Sequence, residues 1–419
     1  MRVRFAHFFI FATCWFAFAP LQAQPSNPKP LTAVVNYVDS PADPDSMGSS
    51  LTTSPEGVTW LSWIESDGEK QNALKCARFD AVNKRWGEAQ LIARGTDWFV
   101  NWADFPVMAA HGQRLLAVWF VTGRGGDHDH SSYRAEFSAS KDGGNTWSKP
   151  EPITRDSTSV EFVALQPLPN GHILAAWLDG RDRGAGAHGR QALYARLVGE
   201  SQSDALVDPS VCDCCQLSLV PTPDGGALLA YRGRSAEEVR DMRVAQYRNG
   251  RWDSPRTLHN DGWKIAACPV NGPQLATNGS HVGAVWFTAA NNQARVYAAR
   301  AEASAPKFGD AAVIDLGHPL GRVDNVMLSD GTQLIVWLEG SDKEKEGGLY
   351  LRAIAADGTL SKPAMIAPAT TSRAGGFPRI VLLRDGPQPQ LLLSFTRDGQ
   401  PRQVATAVVT VDRQESSAR

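Results

Sequence analysis

The sequence predicts an all-β protein that folds as a seven-bladed β-propeller. The first observation is a repeated phrase, a short apolar strand that ends in an aromatic residue and usually follows a glycine-containing turn. The aromatic anchors of this phrase are Trp63, Trp119, Trp177, Tyr231, Trp286, Trp337 and Phe395. The gaps between successive anchors are 56, 58, 54, 55, 51 and 58 residues. A repeat of such regular spacing is typical of propellers and related repeat architectures.

The second observation is the fixed order of pieces within each unit. A short strand such as PVMAA or PRIVLL precedes a turn such as PNG or SDG, and the anchor strand follows. A third, alternating strand such as ALKCARF and a weaker fourth strand such as EPITR complete the unit. Such strands, bounded by glycine, proline and aspartate turns, indicate β-structure, and no segment shows sustained helical periodicity. Units of four strands over about 40–50 residues predict propeller blades.

The third observation concerns the two ends of the chain. The seventh unit has only three strands, and the N-terminal segment LTAVVNYV, residues 31–38, can supply the missing fourth. That pairing closes the ring and removes exposed sheet edges. No Pro/Gly/Ser-rich linker interrupts the repeat, so we expect one propeller domain over residues 24–413 and a disordered tail over residues 414–419. A six-bladed ring is the alternative architecture.

The N-terminus has the composition of a bacterial export signal. Arg2 and Arg4 precede an apolar run and small residues follow near Ala23, so we predict that residues 1–23 are a cleaved signal peptide. The run is too short to span a bilayer, and no later apolar run is long enough for a membrane span. We therefore expect the mature protein to be periplasmic or secreted.

The charge balance argues against two classes of partner. The chain has 42 basic and 44 acidic residues, and removal of the signal takes away two arginines and no acids, which leaves a net charge of −4. A slightly acidic chain is poorly suited to bind nucleic acid or an anionic membrane. The expected partner is a small molecule, a glycan or a metal ion, and we expect a monomer.

One local motif matches an Asp box at every position. The segment SASKDGGNTWS, residues 138–148, contains the pattern Ser-x-Asp-x-Gly-x-Thr-Trp, formed by Ser140, Asp142, Gly144, Thr146 and Trp147. The short aspartate can accept bonds from turn amides, the glycine permits a positive φ, and the tryptophan can pack on its own blade. We interpret these five residues as structural.

The chain resembles the exported, sialidase-like propellers with BNR repeats. It is most similar to a group that carries CDCCQ, GW-x-I-x-x-CPVNGP, GRVD and GFPR, which lie here at 212–216, 262–273, 321–324 and 376–379. The resemblance covers the mature chain and implies a propeller fold, with exo-α-sialidase activity as one function to consider. Sialidases have six blades, repeated Asp boxes and an N-terminal Arg-Ile-Pro motif, whereas this chain has seven repeats, one full Asp box and no such motif.

Four cysteines fall at equivalent places on neighbouring blades. Cys212, Cys214 and Cys215 precede the first strand of blade four, and Cys268 precedes that of blade five, so they should meet at one mouth of the central channel. One arrangement is a Cys215–Cys268 disulfide that leaves Cys212 and Cys214 as a thiol pair or a second bridge. The other is a thiolate cluster for copper or zinc. Cys76, in an outer strand, is expected to be a packed small hydrophobe.

Further polar and aromatic residues fall at or near the same predicted mouth. Those expected to bind a ligand are Trp102, Arg232, Arg240, Asp241, Trp263, Asn271, Arg322, Asp324 and Arg379. Arginines beside aromatic rings suit an anionic or sugar-like ligand, although an internal Arg–Asp network would use the same residues. If the protein hydrolyses glycosides, Asp104 or Glu161 is the candidate acid/base and Tyr231 the candidate nucleophile.

A histidine-containing loop offers a separate metal hypothesis. The segment GRGGDHDHSS, residues 123–132, carries His128 and His130, which are suited to a divalent cation, but its composition favours a solvated loop. The preferred function is therefore the binding of a ligand or metal ion at an axial site that bears cysteines and arginines. An exo-acting glycoside hydrolase of the sialidase type is the alternative, and a protein-docking scaffold is a second alternative.

Overall fold

Seven antiparallel sheets follow one another along the chain and surround a central channel, as the sequence predicts. The computed structural model describes residues 31–66, 71–122, 133–157, 159–182, 190–341 and 346–413. The predicted signal peptide, the predicted C-terminal tail and the histidine-containing loop lie outside the described residues. The helices among the described residues are two single 3₁₀ turns, Ala290–Asn292 and Arg373–Gly375.

The first four blades are built from consecutive strands that run from the channel outward. Blade one contains β2 (Ser46–Thr53), β3 (Thr59–Ser66), β4 (Asn72–Asp80), β5 (Arg85–Trp86) and β6 (Gln90–Gly95). Blade two contains β7 (Val107–His111), β8 (Arg114–Thr122), β9 (Tyr133–Ser140) and β10 (Glu151–Pro152). Blade three contains β11 (Val160–Pro167), β12 (Ile173–Asp179), β13 (Gln191–Leu197) and β14 (Ala205–Val211). Blade four contains β15 (Ser218–Pro221), β16 (Ala227–Arg232), β17 (Met242–Arg248), β18 (Arg251–Trp252) and β19 (Arg256–His259).

The last three blades complete the ring. Blade five contains β20 (Gln274–Thr277), β21 (His281–Thr288), β22 (Arg295–Glu302) and β23 (Ala312–Val313). Blade six contains β24 (Pro319–Met327), β25 (Gln333–Gly340), β26 (Glu346–Ile354) and β27 (Ala364–Thr370). Blade seven contains β28 (Arg379–Arg384), β29 (Gln390–Arg397), β30 (Gln403–Arg413) and β1 (Leu31–Val38).

The ring closes through the N-terminal strand. Strand β1 pairs with β30 in an antiparallel register that runs from Leu31 opposite Arg413 to Val38 opposite Thr406. The prediction that this strand supplies the fourth strand of blade seven is confirmed. The closure covers an edge of β30 that would otherwise expose a row of unpaired backbone groups.

The anchor tryptophans form the apolar core of the blades. Trp63, Trp177, Trp286 and Trp337 are fully buried, and each indole N–H donates to a carboxylate. In three of the four blades the acceptor is the acid two residues further along the same strand, as in Trp337 to Glu339 at 2.5 Å. A buried indole N–H is usually paired with an acceptor, and the Trp-x-Asp/Glu pattern supplies one in blades one, three and six. The buried Trp119 indole of blade two has no hydrogen-bond partner among the described residues.

The segment 138–148 forms a tight hydrogen-bonded turn between β9 and β10. The Asp142 carboxylate accepts bonds from the Thr146 amide at 2.9 Å and the Ser140 hydroxyl at 2.8 Å. These bonds, together with one from the Thr146 hydroxyl, lower the pKa of Asp142 to about 2. Gly144 adopts a φ of +89°, which a residue with a side chain rarely adopts. These hydrogen bonds stabilise the turn, and all of them join residues of blade two.

A cavity of about 720 Å³ lies on the propeller axis. It is lined by the first strands of all seven blades, represented by Leu51, Met108, Leu165, Leu219, Leu275, Val326 and Val381. Of the helices in the part of the chain that the structure describes, none is long and apolar enough to cross a membrane.

One end of the channel is packed by the segment before blade two. This segment, residues 101–106, meets the segments before the first strands of blades four and seven. Trp102 stacks on Phe377 with ring centroids 5.7 Å apart, and the Gln216 side chain donates to the Ala103 carbonyl at 2.8 Å. Because all the first strands run in the same direction, these approach segments meet at one end of the channel, called the axial mouth below.

Candidate functional site

Three cysteines lie in a tight turn at the axial mouth. Residues 212–217, called the cysteine turn below, connect β14 of blade three to β15 of blade four. The structure joins Cys212 to Cys215 as a disulfide, with Cα atoms 5.9 Å apart, which differs from the expected Cys215–Cys268 pairing. The expectation assumed strand alternation, whereas residues 213 and 214 form a turn that brings positions three apart within disulfide range. The Cys-x-x-Cys spacing of this pair was the sequence signal that the strand argument missed.

The remaining two cysteines of the site meet across the boundary of blades four and five. The Cys214 and Cys268 thiols are hydrogen-bonded to one another. The sulfur atoms of Cys212, Cys214 and Cys215 all lie within 4.8 Å of one another. Cys214 is therefore hydrogen-bonded to Cys268, and its sulfur lies within 4.8 Å of both sulfurs of the disulfide. We call these four residues the cysteine cluster, which the sequence correctly placed together.

Exposure differs sharply within the cysteine cluster. Cys212 and Cys215 are 0% and 1% exposed, Cys214 is half-buried and Cys268 is exposed. Cys76 is buried in blade one, away from the cluster, and burial raises the pKa of its thiol to about 12. Of the five cysteines that the structure describes, only Cys268 is exposed to solvent.

Two arginines and their two carboxylate partners lie beside the cysteine cluster. The Arg240 guanidinium lies 3.5 Å from the Cys212 sulfur and 2.9 Å from the Glu238 carboxylate. Arg234 binds Asp213 at 2.6 Å and Glu238 at 2.8 Å. The hydrogen bond from Cys214 is the main cause that lowers the pKa of Cys268 to about 7, and the two arginines contribute. The same hydrogen bond and burial raise the pKa of Cys214. Cys268 is thus the sulfur of this pair that carries negative charge most readily.

Two of the predicted ligand-binding arginines bind the protein's own backbone. The Arg232 guanidinium donates to the carbonyls of Asn271, Arg240 and Phe287 at distances of 2.6–3.2 Å and lies 4.8 Å from the Trp263 ring centroid. Burial lowers the pKa of Arg232 to about 10. These bonds tie blade four to blade five directly beneath the cysteine cluster.

Arg322, in blade six, has the same kind of environment. Its guanidinium donates to the carbonyls of Ser372 at 2.8 Å and Gly376 at 3.1 Å, and it lies 4.9 Å from the Trp102 ring centroid. Burial lowers its pKa to about 10. Asn271 accepts a bond from the Arg322 amide at 2.8 Å and so joins blades five and six.

The other predicted ligand-binding residues divide between the channel and the axial mouth. Arg379 and Asp324 line the channel cavity, where the Asp324 carboxylate accepts a bond from the Ile380 amide at 2.9 Å. Burial raises the pKa of Asp324 and lowers that of Arg379. Asp241 accepts a bond from the Trp263 amide at 3.2 Å beside the cysteine cluster, and burial raises its pKa.

The two candidate acid/base carboxylates lie close together, but with a different tyrosine from the one expected. The Tyr133 hydroxyl is hydrogen-bonded to Asp104 at 2.5 Å and to Glu161 at 3.3 Å. Burial raises the pKa of Asp104 well above its ordinary value. Tyr231 is fully buried elsewhere and donates to Asp208 at 2.7 Å. Tyr133 begins β9 and carried no recognisable motif, so only the fold reveals its place between the carboxylates.

The comparisons with known proteins reveal similarity of fold. No model of a known protein family matches the sequence, and no curated protein matches it. An ulvan lyase from a polysaccharide lyase family is 12% identical, with coverage of 91% of this chain and 95% of its own and a TM-score of 0.52. A mutant α-L-arabinofuranosidase from Fusarium graminearum, bound to an iminosugar inhibitor, is 14% identical, with coverage of 90% and 98% and a TM-score of 0.50. The leech intramolecular trans-sialidase is 9% identical, with 92% coverage of each chain and a TM-score of 0.48. At such low identities, similarity to the first two structures supports the β-propeller fold alone.

Proposed function

We propose that the protein binds a soft metal ion, Cu(I) or Zn(II), through the cysteine cluster at the axial mouth. The observation that carries the proposal is the convergence of three sulfur atoms within 4.8 Å, with Cys268 in contact with the middle one. Closely spaced thiolates are the ligands that Cu(I) and Zn(II) prefer. The cluster combines donors from the segments before blades four and five, so the metal site depends on how these two blades pack.

The sulfurs must rearrange to form a tetrahedral site. With Zn–S bonds of about 2.3 Å, the sulfurs of a tetrathiolate lie about 3.8 Å apart. The Cys214 sulfur lies within 4.8 Å of those of Cys212 and Cys215, and these two must separate when their disulfide is reduced. The Cys212 amide donates to the Arg232 carbonyl at 2.9 Å, which anchors the first residue of the cysteine turn to blade four. The backbone is therefore already folded around the donors, and side-chain rotation supplies the remaining movement.

An anionic metal–thiolate centre would have one guanidinium, that of Arg240, in contact with its sulfurs. Four thiolates around Zn(II) carry a net charge of −2, and such a charge needs nearby cations when it is partly buried. Arg240 lies 3.5 Å from the Cys212 sulfur, and Arg234 lies on the neighbouring Asp213. Both guanidinium groups are also paired with carboxylates, so the local offset to the centre comes from the direct contact of Arg240 with the Cys212 sulfur.

We expect the reduced form of the cysteine cluster to bind the metal. A disulfide between Cys212 and Cys215 removes two of the four anionic donors, because a metal is bound by thiolates. We therefore expect reduction to increase metal affinity and oxidation to release the metal.

The test measures metal content on the reduced, full-length mature protein. Anaerobically reduced protein is incubated with Zn(II) or Cu(I), dialysed and analysed for metal per chain, and affinity is measured by competition with a chromophoric chelator. We expect close to one zinc per chain in the wild type and a loss of at least tenfold in affinity in Cys214→Ser and Cys268→Ser. Cys76→Ala is the matched control and should bind like the wild type. Equal binding in the cluster variants and the control, or no binding in any of them, would refute the proposal.

A second candidate function is exo-acting glycoside hydrolysis of the sialidase type. One observation favours it, namely the shared contact of Asp104 and Glu161 with the Tyr133 hydroxyl. A carboxylic acid with a raised pKa beside a second carboxylate is the arrangement that glycosidases use. Release of fluorophore from a fluorogenic sialoside by the wild type, lost in Glu161→Gln and kept in Cys76→Ala, would support hydrolysis. No release by the wild type would exclude this substrate class.

A further inference from the structure

We infer that the cysteine cluster also performs thiol–disulfide exchange, with Cys268 as the entry thiol, Cys214 as the relay and the Cys212–Cys215 pair as an internal disulfide store. The substrate class is an accessible disulfide in a small molecule or peptide. This activity goes beyond the proposed metal binding. It uses the same sulfurs in their metal-free form, and it does not require that the protein binds metal.

The order of exposure sets the direction of the relay. Cys212 and Cys215 are 0% and 1% exposed, so a dissolved disulfide cannot approach their sulfurs directly. Cys268 is exposed, and its thiol is hydrogen-bonded to that of the half-buried Cys214. Exchange requires direct approach of one sulfur to another. Because Cys268 is the more exposed of the two outer thiols, a substrate disulfide reacts first at Cys268 and reaches the buried pair through Cys214.

The position of Cys214 completes the path. Its sulfur lies within 4.8 Å of both sulfurs of the buried pair, and it touches the Cys268 thiol across the blade boundary. Rotation about the Cys214 side chain can bring its sulfur to either neighbour without movement of the strands. The Cys214 side chain can therefore take part in both steps of the relay, exchange with Cys268 and exchange with the buried pair.

The entry steps balance as ordinary thiol–disulfide exchange. The Cys268 thiolate attacks one sulfur of the substrate disulfide, a mixed disulfide forms, and the first substrate thiolate leaves. The Cys214 thiolate then attacks the Cys268 sulfur, a Cys214–Cys268 disulfide forms, and the second substrate thiolate leaves. The two protons lost by the cysteines end on the two substrate thiols. One substrate disulfide is reduced, and one protein dithiol is oxidised.

The internal steps move the disulfide without any further oxidant. The Cys212 thiolate attacks the Cys214 sulfur and releases the Cys268 thiolate, and the Cys215 thiolate then attacks the Cys212 sulfur and releases the Cys214 thiolate. The products are a Cys212–Cys215 disulfide and free Cys214 and Cys268. That is the arrangement of the structure, with the disulfide in the buried pair and both outer thiols reduced. The Arg240 guanidinium, 3.5 Å from the Cys212 sulfur, stabilises the charge of the attacking thiolate.

The experiment follows the order of disulfide formation in the full-length mature protein. Fully reduced protein, kept metal-free with a chelator, is mixed with oxidised glutathione, quenched with acid at successive times, alkylated, and mapped by peptide mass spectrometry. We expect a glutathione adduct on Cys268 first, a Cys214–Cys268 disulfide next and the Cys212–Cys215 disulfide last. In Cys214→Ser the adduct on Cys268 should accumulate, and formation of Cys212–Cys215 should slow at least about tenfold.

Matched variants keep the result interpretable. Cys76→Ala should follow the wild-type order, because Cys76 is buried outside the cluster. Cys268→Ala should also slow formation of Cys212–Cys215, and an unchanged melting temperature in each variant shows that it remains folded. Formation of Cys212–Cys215 at the wild-type rate in Cys214→Ser or Cys268→Ala would overturn the relay. Because a chelator is present throughout, a failure of metal binding leaves this result unaffected, and a failed relay leaves the metal assay unaffected.

Discussion

The Gln216 side chain provides a quantitative test of how the axial mouth is held together. Its amide nitrogen donates to the Ala103 carbonyl at 2.8 Å, and its amide oxygen accepts from the Gly272 amide at 3.0 Å. One buried side chain thereby joins the segment before blade two, the cysteine turn and the segment before blade five. The close approach also requires glycine at 272, because a Cβ there would lie 1.9 Å from the Gln216 carbonyl oxygen.

The substitution Gln216→Leu preserves approximate size and removes both hydrogen bonds. It leaves one buried carbonyl and one buried amide without a partner, and each unsatisfied group costs about 1–3 kcal/mol. The added apolar contact of leucine offsets about 1 kcal/mol of that loss. We therefore expect the free energy of unfolding to fall by roughly 1–5 kcal/mol.

The assay is urea unfolding followed by tryptophan fluorescence, with the unfolding midpoint and slope compared between variants. Gln246→Leu is the matched control, because the Gln246 side chain is 2% exposed and its amide nitrogen has no hydrogen-bond partner among the described residues. The free energy of unfolding of that control should fall by less than about 1 kcal/mol. If Gln216→Leu is no more destabilising than Gln246→Leu, at equal slope, then the bridging bonds do not hold the mouth as argued.

Two further predictions concern the core and pH. Trp337→Phe removes the indole N–H that donates to the buried Glu339 carboxylate, and it should lower the free energy of unfolding by about 1.5–3 kcal/mol in urea melts. The Leu316 and His318 amides also donate to this carboxylate, so a smaller loss would mean that these two bonds satisfy it without the indole. The two arginine partners of Glu238 lower its pKa from 4.5 to about 2. Its contribution to stability should be present above pH 4.5 and disappear as the pH falls towards 2, so wild type and Glu238→Gln should converge there. If the difference in free energy of unfolding between the two proteins stays constant across this range, the ionised Glu238 carboxylate is not the source of this stability.

Local patterns predicted the blades because each blade is largely built from neighbouring segments. The anchors at Trp63, Trp177 and Trp337 lie in the second strands of their blades, where the repeat places them. Turn residues and alternating apolar positions act over a few residues, so they can be read directly. The closure by β1 was also predictable, because the seventh unit lacked one strand and a matching strand stood at the other end.

The cysteine pairing could be predicted only in part. Equivalent places in two repeats brought Cys268 to the cysteines of blade four, as expected from the sequence, but its thiol contacts Cys214 and not Cys215. The disulfide depends on the backbone of the cysteine turn, where Cys212 and Cys215 approach because residues 213 and 214 reverse the chain. Strand alternation does not apply within a turn, so it led to the wrong partner.

The sequence by itself determined the all-β class, the number of blades, the closure of the ring and the gathering of four cysteines at one mouth. These features follow from short-range patterning and from the equivalence of repeats. Only the tertiary structure decided what each side chain touches. Arg232 and Arg322 bind backbone carbonyls of neighbouring blades, and Tyr133 reaches two carboxylates from different segments. Such contacts join residues far apart in the chain, and their geometry depends on how adjacent blades pack, which no local pattern encodes.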